Sequence, residues 1–166
     1  MKNILIAIIV FLSSGCLKEK KIILKHDFEH SEDGWSESNL IKGKGYSGSS
    51  YSFADSLHPF SAGFSKKLSE ITPHKVKRID AVCRIKHKVV SASANLIVSL
   101  DDGNKNLFWQ SIPTNDAAPE LNEWARLFVS YDIPDSLGKN EILKVYIWNL
   151  KHIPVEVDDF EIRLFY

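Results

Sequence analysis

The amino-acid sequence predicts an all-β protein, an antiparallel β-sandwich that follows an N-terminal signal helix. Three observations predict it: apolar and polar side chains alternate over many short segments, turn-forming residues separate these segments, and no sustained helical pattern follows the apolar leader. About eight short strands with turns between them are typical of an antiparallel sandwich. The sequence has no glycine-rich strand-to-helix element, which argues against a nucleotide-binding α/β fold.

The alternation is clearest in the middle of the chain. One set of alternate positions holds Ile79, Ala81, Cys83, Ile85, His87 and Val89, and the other holds Arg78, Asp80, Arg84, Lys86 and Lys88. This is the pattern of a half-buried strand. The same criterion predicts further strands at 22–28, 49–53, 63–68, 94–100, 107–112, 124–133, 143–150 and 155–166. Asp101-Asp102-Gly103-Asn104, between two of these strands, predicts a hairpin turn.

The first fifteen residues predict an export signal. Lys2 precedes nine apolar residues at 4–12, and Ser14-Gly15-Cys16 ends the segment. Nine helical residues rise about 14 Å, well short of the ~30 Å thickness of the hydrocarbon core. The segment is therefore typical of a signal peptide rather than of a membrane span.

Ser14-Gly15-Cys16 resembles the end of the bacterial lipobox. The resemblance implies cleavage before Cys16, a thioether-linked diacylglycerol on its sulfur and an acyl chain such as palmitate on its nitrogen. It divides the chain into a lipoprotein signal peptide (1–15), a lipidated tether (16–21) and one β-sandwich domain (22–166). Leu17 differs from the Asp of a retention signal for the inner membrane, so the expected location is the bacterial cell envelope, anchored in the outer membrane.

Composition and charge exclude several classes of protein. Hydrophobic residues make up 44% of the 166 residues and charged residues 25%, which are ordinary values for a globular domain. The formal charge is zero, and no face-length run of Lys or Arg interrupts the sequence pattern, so a nucleic-acid partner, which would need a basic stripe to neutralise its phosphates, is not expected. Apart from Cys16 the only cysteine is Cys83, which we expect to be a buried thiol without a disulfide partner.

The last predicted strand changes its inward parity. Val155 and Val157 favour the odd positions, whereas the apolar residues that follow favour the even ones; these are Phe160, Ile162, Leu164 and Tyr166. A change of parity inside one strand requires an extra residue, so we predict a β-bulge at Asp158-Asp159. If the first strand lies beside it, Asp27 and Glu29 come near, and Ca²⁺ prefers such clusters of oxygen ligands.

The order of motifs resembles the galactose-binding-like jelly rolls, which include many carbohydrate-binding modules. The motifs are Asp27-Phe28-Glu29, Gly34-Trp35, the Gly45–Ser50 loop, Trp124-Ala125-Arg126, the segment 145–149 and the closing segment 157–162. The resemblance implies adjacent first and last strands and a structural calcium ion. Its implied ligands are Glu29 and Asp159, with Asp27 nearby and carbonyls of the Gly45–Ser50 loop in addition. The alternative is a solvated acidic bulge that pairs with Lys25 or Arg163.

Aromatic residues on the predicted strands are the candidates for ligand binding. Trp109, Tyr146 and Trp148 could line a sheet and pack against the apolar faces of sugar rings, with Asn149 hydrogen-bonding a hydroxyl group. Further candidates are Phe128 as another ring, and Asn95, Gln110 and Arg126 as polar groups. The alternative is that Tyr146 and Trp148 belong to the core. Trp35 and Trp124 are expected to be packing residues.

These observations predict a lipid-anchored module of the cell envelope that binds carbohydrate without catalysis. The alternative is an envelope lipoprotein that binds another protein or has a structural role and has no glycan ligand. No enzyme activity is expected, because the six histidines lack metal-ligand spacing and no nucleophile motif is present. The expected partners are the membrane, through the lipid anchor, and a polysaccharide or an envelope protein.

Overall fold

The computed structural model describes residues 19–90, 92, 94–117, 120–151 and 153–166. These residues form ten strands: β1 (Lys21–His26), β2 (Leu40–Lys42), β3 (Ser50–Ala54), β4 (Phe64–Lys67), β5 (Arg78–His87), β6 (Asn95–Asp101), β7 (Asn106–Pro113), β8 (Trp124–Asp132), β9 (Ile142–Trp148) and β10 (Val155–Phe165). A short helix α1 (Leu68–Ile71) follows β4, and a 3-10 turn (Thr114–Ala117) follows β7. No helix in these ranges is long and apolar enough to cross a membrane. The predicted signal peptide and Cys16 lie outside the described residues.

Two antiparallel sheets make up the sandwich, which confirms the predicted fold class. The larger sheet has the order β2-β3-β10-β5-β8, and β1 also pairs with β10; the smaller sheet has the order β4-β9-β6-β7. β10 is shared between two neighbours on one side, because Val155–Val157 pairs with β3 whereas Phe160–Phe165 pairs with β1. The predicted adjacency of the first and last strands is therefore confirmed.

The core lies between the sheets and follows the alternation seen in the sequence. The inward residues of three central strands are completely buried: Ile79, Ala81, Cys83 and Ile85 on β5, Leu96 on β6, and Leu143, Val145 and Ile147 on β9. Burying each large aliphatic side chain contributes roughly 1.5–3 kcal/mol. Cys83 is a free, buried thiol as predicted, and burial raises its pKa.

The predicted bulge is present in β10. The pairing of β10 with β5 shifts register between Asp158 and Glu161, and Asp159 has a φ of +48°. Val157 before the shift and Phe160 after it are both buried in the core. The bulge therefore lets both parts of one strand present apolar residues to the core.

Two details of the strand predictions differ from the structure. β2 was not predicted, because three residues are too few to show a periodic pattern. Val89 lies beyond the end of β5 and is exposed, so the inward alternation stops at His87. Asp101-Asp102-Gly103-Asn104 forms the predicted turn between β6 and β7, with the Asp102 N–H donating to the carbonyl of Lys105.

Candidate functional site

The outer face of the four-stranded sheet carries a group of aromatic side chains. On β9, Val145 and Ile147 point inward and are buried, so Tyr146 and Trp148 point outward and are half-buried. The structure thus excludes the alternative that these two rings lie in the core. Trp109 on β7 reaches the same face and is 39% exposed.

The rings form a continuous row. The ring centroids of Trp109 and Trp148 are 6.3 Å apart and their planes are nearly perpendicular, at 83°. Trp148 is nearly parallel to Phe60, with centroids 6.3 Å apart, and Phe60 is 5.7 Å from Tyr146. These separations are typical of interacting aromatic pairs. We call Trp109, Trp148, Phe60 and Tyr146 the aromatic face.

Phe60 is the member of the aromatic face that the sequence did not predict. It lies in the loop before β4, outside any alternating segment, and is 47% exposed. The loop is tied to β9 because the Ser61 N–H donates to the carbonyl of Ile147, and the Ile147 N–H donates to the Ser61 hydroxyl. Gly63 permits this close approach, since a Cβ there would lie 2.7 Å from the Cβ of Tyr146.

Polar groups border the aromatic face. Lys144 Nζ lies 2.7 Å from the carboxylate of Asp101, which is buried on the same side of the sheet. A shallow groove of about 340 Å³ runs beside Tyr146 and is lined by Phe60, Gly63 and Lys144 among others. A surface with several exposed rings and few polar groups can bind a ligand that has apolar faces and hydroxyl edges.

The remaining polar candidates lie in different places. Asn149 is completely buried, and its side-chain amide donates to the carbonyls of Ala54 and Ile153, so it joins two loops and does not reach the aromatic face. Asn95 is opposite Trp148 in the β6–β9 pairing and borders the face. Gln110, next to Trp109, points to the other side of β7.

The other aromatic candidates are divided between the core and the larger sheet. Trp35 packs against the core as predicted, stacked on His26 at 4.8 Å and against Phe64 at 5.0 Å. Trp124 and Phe128 lie on β8, in the six-stranded sheet, and take no part in the aromatic face.

Glu29, which follows β1, and the bulge residues Asp158 and Asp159 hold the Gly45–Ser50 loop. Glu29 accepts hydrogen bonds from the Ser49 N–H at 2.7 Å and the Ser49 hydroxyl at 2.9 Å, and these bonds lower the pKa of Glu29. Asp159 accepts a bond of 2.6 Å from the Ser47 hydroxyl. Asp158 accepts bonds from the N–H groups of Tyr46 and Ser47, and burial raises its pKa to about 6.

The predicted calcium ligands are only partly gathered in one place. Asp27 and Asp159 line one cleft of about 340 Å³ together with Ser47, whereas Glu29 is engaged by Ser49. Their carboxylate oxygens have the chemistry that Ca²⁺ prefers. In the part of the chain that the structure describes, no three His, Cys, Asp or Glu side chains are arranged to hold a metal ion. Calcium binding therefore stays a prediction.

The predicted alternative to calcium, in which the bulge carboxylates pair with Lys25 or Arg163, does not describe the bulge. Lys25 and Arg163 both pair with Glu161, at 3.1 Å and 2.5 Å, rather than with Asp158 or Asp159. The bulge carboxylates are instead hydrogen-bonded by the loop, as described above.

No family model matches the sequence, and no curated protein is similar enough to count as a relative. Solved structures with similar folds were found. The CBM22-1 xylan-binding domain from Paenibacillus barcinonensis Xyn10C has a TM-score of 0.55 at 17% identity, over 88% of this chain and 96% of that chain. The C-terminal family 22 carbohydrate-binding module of Clostridium thermocellum Xyn10B has a TM-score of 0.54 at 15% identity, over 85% and 91% of the two chains.

A carbohydrate-binding module of another family has a similar fold. CBM35 from Cellvibrio japonicus has a TM-score of 0.53 at 13% identity, over 85% of this chain and 92% of that chain. The chain has the jelly-roll fold of carbohydrate-binding modules. The predicted jelly roll is thereby confirmed. Identities this low establish the fold alone, and the argument for function depends on the residues of this chain.

Proposed function

We propose that this protein is a lipid-anchored carbohydrate-binding module of the bacterial cell envelope, which binds polysaccharide through the aromatic face without catalysis. The observation that carries the proposal is the continuous row of Trp109, Trp148, Phe60 and Tyr146 on the outside of the smaller sheet. All four rings are partly exposed to water. A contiguous apolar patch on a surface is typical of a binding site.

The arrangement of the rings favours a single polysaccharide chain over a flat crystalline surface. Trp109 stands at 83° to Trp148, so the two indoles do not form one flat platform. Phe60 and Trp148 lie at 22° to each other and offer two nearly parallel planes along the row. A polysaccharide chain whose successive sugar rings turn relative to one another can pack one ring against Trp109 and the next against the nearly parallel rings of Phe60 and Trp148.

The similar solved structures support the choice of first ligands. One of them is a xylan-binding domain, and its fold covers 88% of this chain. Xylan is therefore the first polysaccharide to test, followed by other neutral β-linked polysaccharides. The lipid anchor on Cys16 would keep the module at the membrane, where it could hold a polysaccharide at the outer membrane.

The test of the proposal uses the full-length protein, purified in detergent, in affinity gels that contain xylan or other polysaccharides. We expect retention by at least one neutral polysaccharide. Trp148→Ala removes the ring that contacts both Trp109 and Phe60, so we expect a loss of about 2 kcal/mol of binding free energy, roughly thirtyfold in Kd.

The matched control is Phe128→Ala. Phe128 is 42% exposed, similar to Trp109, but it lies on the larger sheet away from the aromatic face. Its removal should leave retention by neutral polysaccharide unchanged. The proposal fails if the intact protein binds no polysaccharide, or if Trp148→Ala binds as well as the intact protein while both melt at similar temperatures. A stoichiometric envelope protein recovered in place of a glycan would favour the alternative function.

A further inference from the structure

The outer face of the six-stranded sheet carries a second group of side chains, which the aromatic face does not involve. Because the inward residues of β5 alternate with outward ones, Arg84 and Lys86 point outward, and Lys88 follows at the strand end. Arg126 on β8 lies directly opposite Arg84 in the β5–β8 pairing. We call Arg84, Lys86, Lys88 and Arg126 the basic face.

Two like charges at opposite positions of paired strands destabilise a sheet. The charges of Arg84 and Arg126 therefore repel each other in the folded sheet. In the described ranges neither arginine has a carboxylate within ion-pair distance. The other two arginines of the chain do: Arg78 pairs with Glu19 and Asp80, and Arg163 pairs with Glu161.

Aromatic rings hold the two arginines in place. The Cζ atom of Arg84 lies 4.2 Å from the ring centroid of Tyr46, and that of Arg126 lies 5.2 Å from the centroid of Phe128. A guanidinium group that packs over a ring keeps its N–H edge available as a planar fork of donors. The two forks are thus positioned by aromatic contacts, while their hydrogen-bonding capacity is left for a ligand.

The surroundings of the two arginines keep the face positive. Lys86 and Lys88 share a single carboxylate, Glu156, which is buried at the base of the face. Asp158 is opposite Arg84 in the β10–β5 pairing, but its carboxylate is directed to the N–H groups of Tyr46 and Ser47. A net positive surface thus occurs in a chain whose formal charge is zero.

The spacing of the cations suits a polymer with repeated negative groups. Alternate residues of a strand stand roughly 6.6 Å apart on one face, and opposite residues of paired strands stand about 5 Å apart. The planar N–H forks of arginine match carboxylate and sulfate groups. Single-stranded nucleic acid fits less well, because it depends on free ring faces for base stacking, and cations cover Tyr46, Phe128 and Trp124.

From this arrangement we infer that the basic face binds an acidic polysaccharide, through carboxylate or sulfate groups held by Arg84 and Arg126. This surface is on the opposite sheet from the aromatic face, so the module has two separate glycan-binding surfaces. The inference does not depend on the proposed function, because either surface can fail while the other binds.

The test compares two double variants of the full-length protein. Arg84→Gln with Arg126→Gln removes the two unpaired arginines, whereas Arg78→Gln with Arg163→Gln removes the same charge from paired arginines on the same sheet. Affinity gels contain polygalacturonate or dextran sulfate, with single-stranded DNA as a competitor of a different class. We expect the first variant to bind the acidic polymers about tenfold more weakly and with a shallower salt dependence, and the second to bind nearly as well as the intact protein.

Preference for polygalacturonate would identify carboxylate, and preference for dextran sulfate would identify sulfate, as the group held by the arginines. Equal losses in the two double variants would overturn the inference, since binding would then follow total charge alone. Failure of the intact protein to bind either polymer, or tighter binding of DNA, would overturn it as well. Trp148→Ala should retain acidic polysaccharide, and loss of that binding would show one shared surface in place of two.

Discussion

At the scale of single residues, His87 shows how burial controls charge. It is the last residue of β5 and faces inward, and its Nε2 atom lies 2.9 Å from the hydroxyl oxygen of Thr114. The same hydroxyl oxygen accepts a hydrogen bond from the Ala94 N–H. Burial lowers the pKa of His87 below the ordinary value of 6.5. The folded protein therefore keeps this imidazole neutral at a pH where the unfolded chain begins to bind a proton.

This difference predicts that His87 lowers the stability of the fold on mild acidification. Just below pH 6.5 the unfolded state binds more protons at His87 than the folded state, so the contribution of His87 to the free energy of unfolding falls as the pH falls. Asp158 contributes with the opposite sign, because its raised pKa lets the folded state bind a proton that the unfolded state does not. The slope from one such group is at most about 1.4 kcal/mol per pH unit. Urea unfolding should be measured at a series of pH values. As the pH falls, the free energy of unfolding should fall less for His87→Gln than for the intact protein. Parallel curves would contradict the prediction.

The residues that sequence reasoning placed correctly are those on alternating strands. Cys83 is buried and Tyr146 points outward because strand parity decides which face a side chain joins. The same parity puts Asn149 on the inner side with Ile147, and the prediction that it binds ligand overlooked this. Phe60 could not be predicted, because a loop has no parity and its position depends on bonds to β9.

At the scale of elements, the bulge in β10 changes both the inward parity of the strand and its pairing partner. Before the bulge β10 pairs with β3, and after it with β1. The parity of the apolar residues was enough to predict the bulge. The parity could not show which strands lie beside the bulge, because pairing partners are far apart in the chain. The predicted adjacency of the first and last strands came from the resemblance to known jelly rolls.

The bulge is also where calcium is predicted to bind. Because a ligand that binds only the folded state stabilises it, Ca²⁺ at about a hundred times its Kd would add about 2.7 kcal/mol, or roughly 5–10 °C in Tm for a domain of this size. Calorimetry with added Ca²⁺ and then with a chelator should show this rise and its reversal. Mg²⁺ should do less, since it demands a more regular, octahedral set of ligands.

Two variants separate a specific site from general charge effects. Asp159→Asn removes a predicted ligand at the bulge. Asp135→Asn removes an exposed carboxylate near Lys75, in the loop that follows β8 and outside the bulge. The rise in Tm with Ca²⁺ should be lost only in Asp159→Asn. An equal rise in both variants, or none in the intact protein, would contradict a calcium site at the bulge.

At the scale of the whole molecule, the two sheets turn their outer faces in opposite directions. Trp109 and Trp148 are 39 positions apart in the chain, and they meet because β6 pairs with both of their strands. The amphipathic pattern predicted that each strand has an outer face, yet the assignment of strands to sheets is a property of the assembled sandwich. The aromatic face and the basic face are therefore visible only in the folded molecule.

The position of the first strand suggests how the domain would sit at a membrane. β1 begins opposite the end of β10, where Lys21 pairs with Phe165, and the carbonyl of Lys20 accepts a bond from the Tyr166 N–H. From Cys16 to Lys20 there are four residue steps, which extend to about 14 Å at most. A lipid on Cys16 would thus hold this end of the sandwich close to the membrane, and both sheet faces would stand beside it, open to polysaccharide.

This orientation depends on the lipid, which predicts the behaviour of a cysteine variant. In a bacterial host the intact protein should fractionate with membranes, and mass spectrometry should find an acylated N-terminus at Cys16. Each buried CH₂ group adds about 0.8 kcal/mol, so several acyl chains make the attachment effectively permanent. Cys16→Ala should be absent from the lipidated fraction, whereas Cys83→Ala, which removes the buried thiol of the core, should stay with the membrane. If Cys16→Ala carries acyl chains, or the intact protein carries none, the domain cannot be anchored in this way, and its two faces would be free to act away from the membrane.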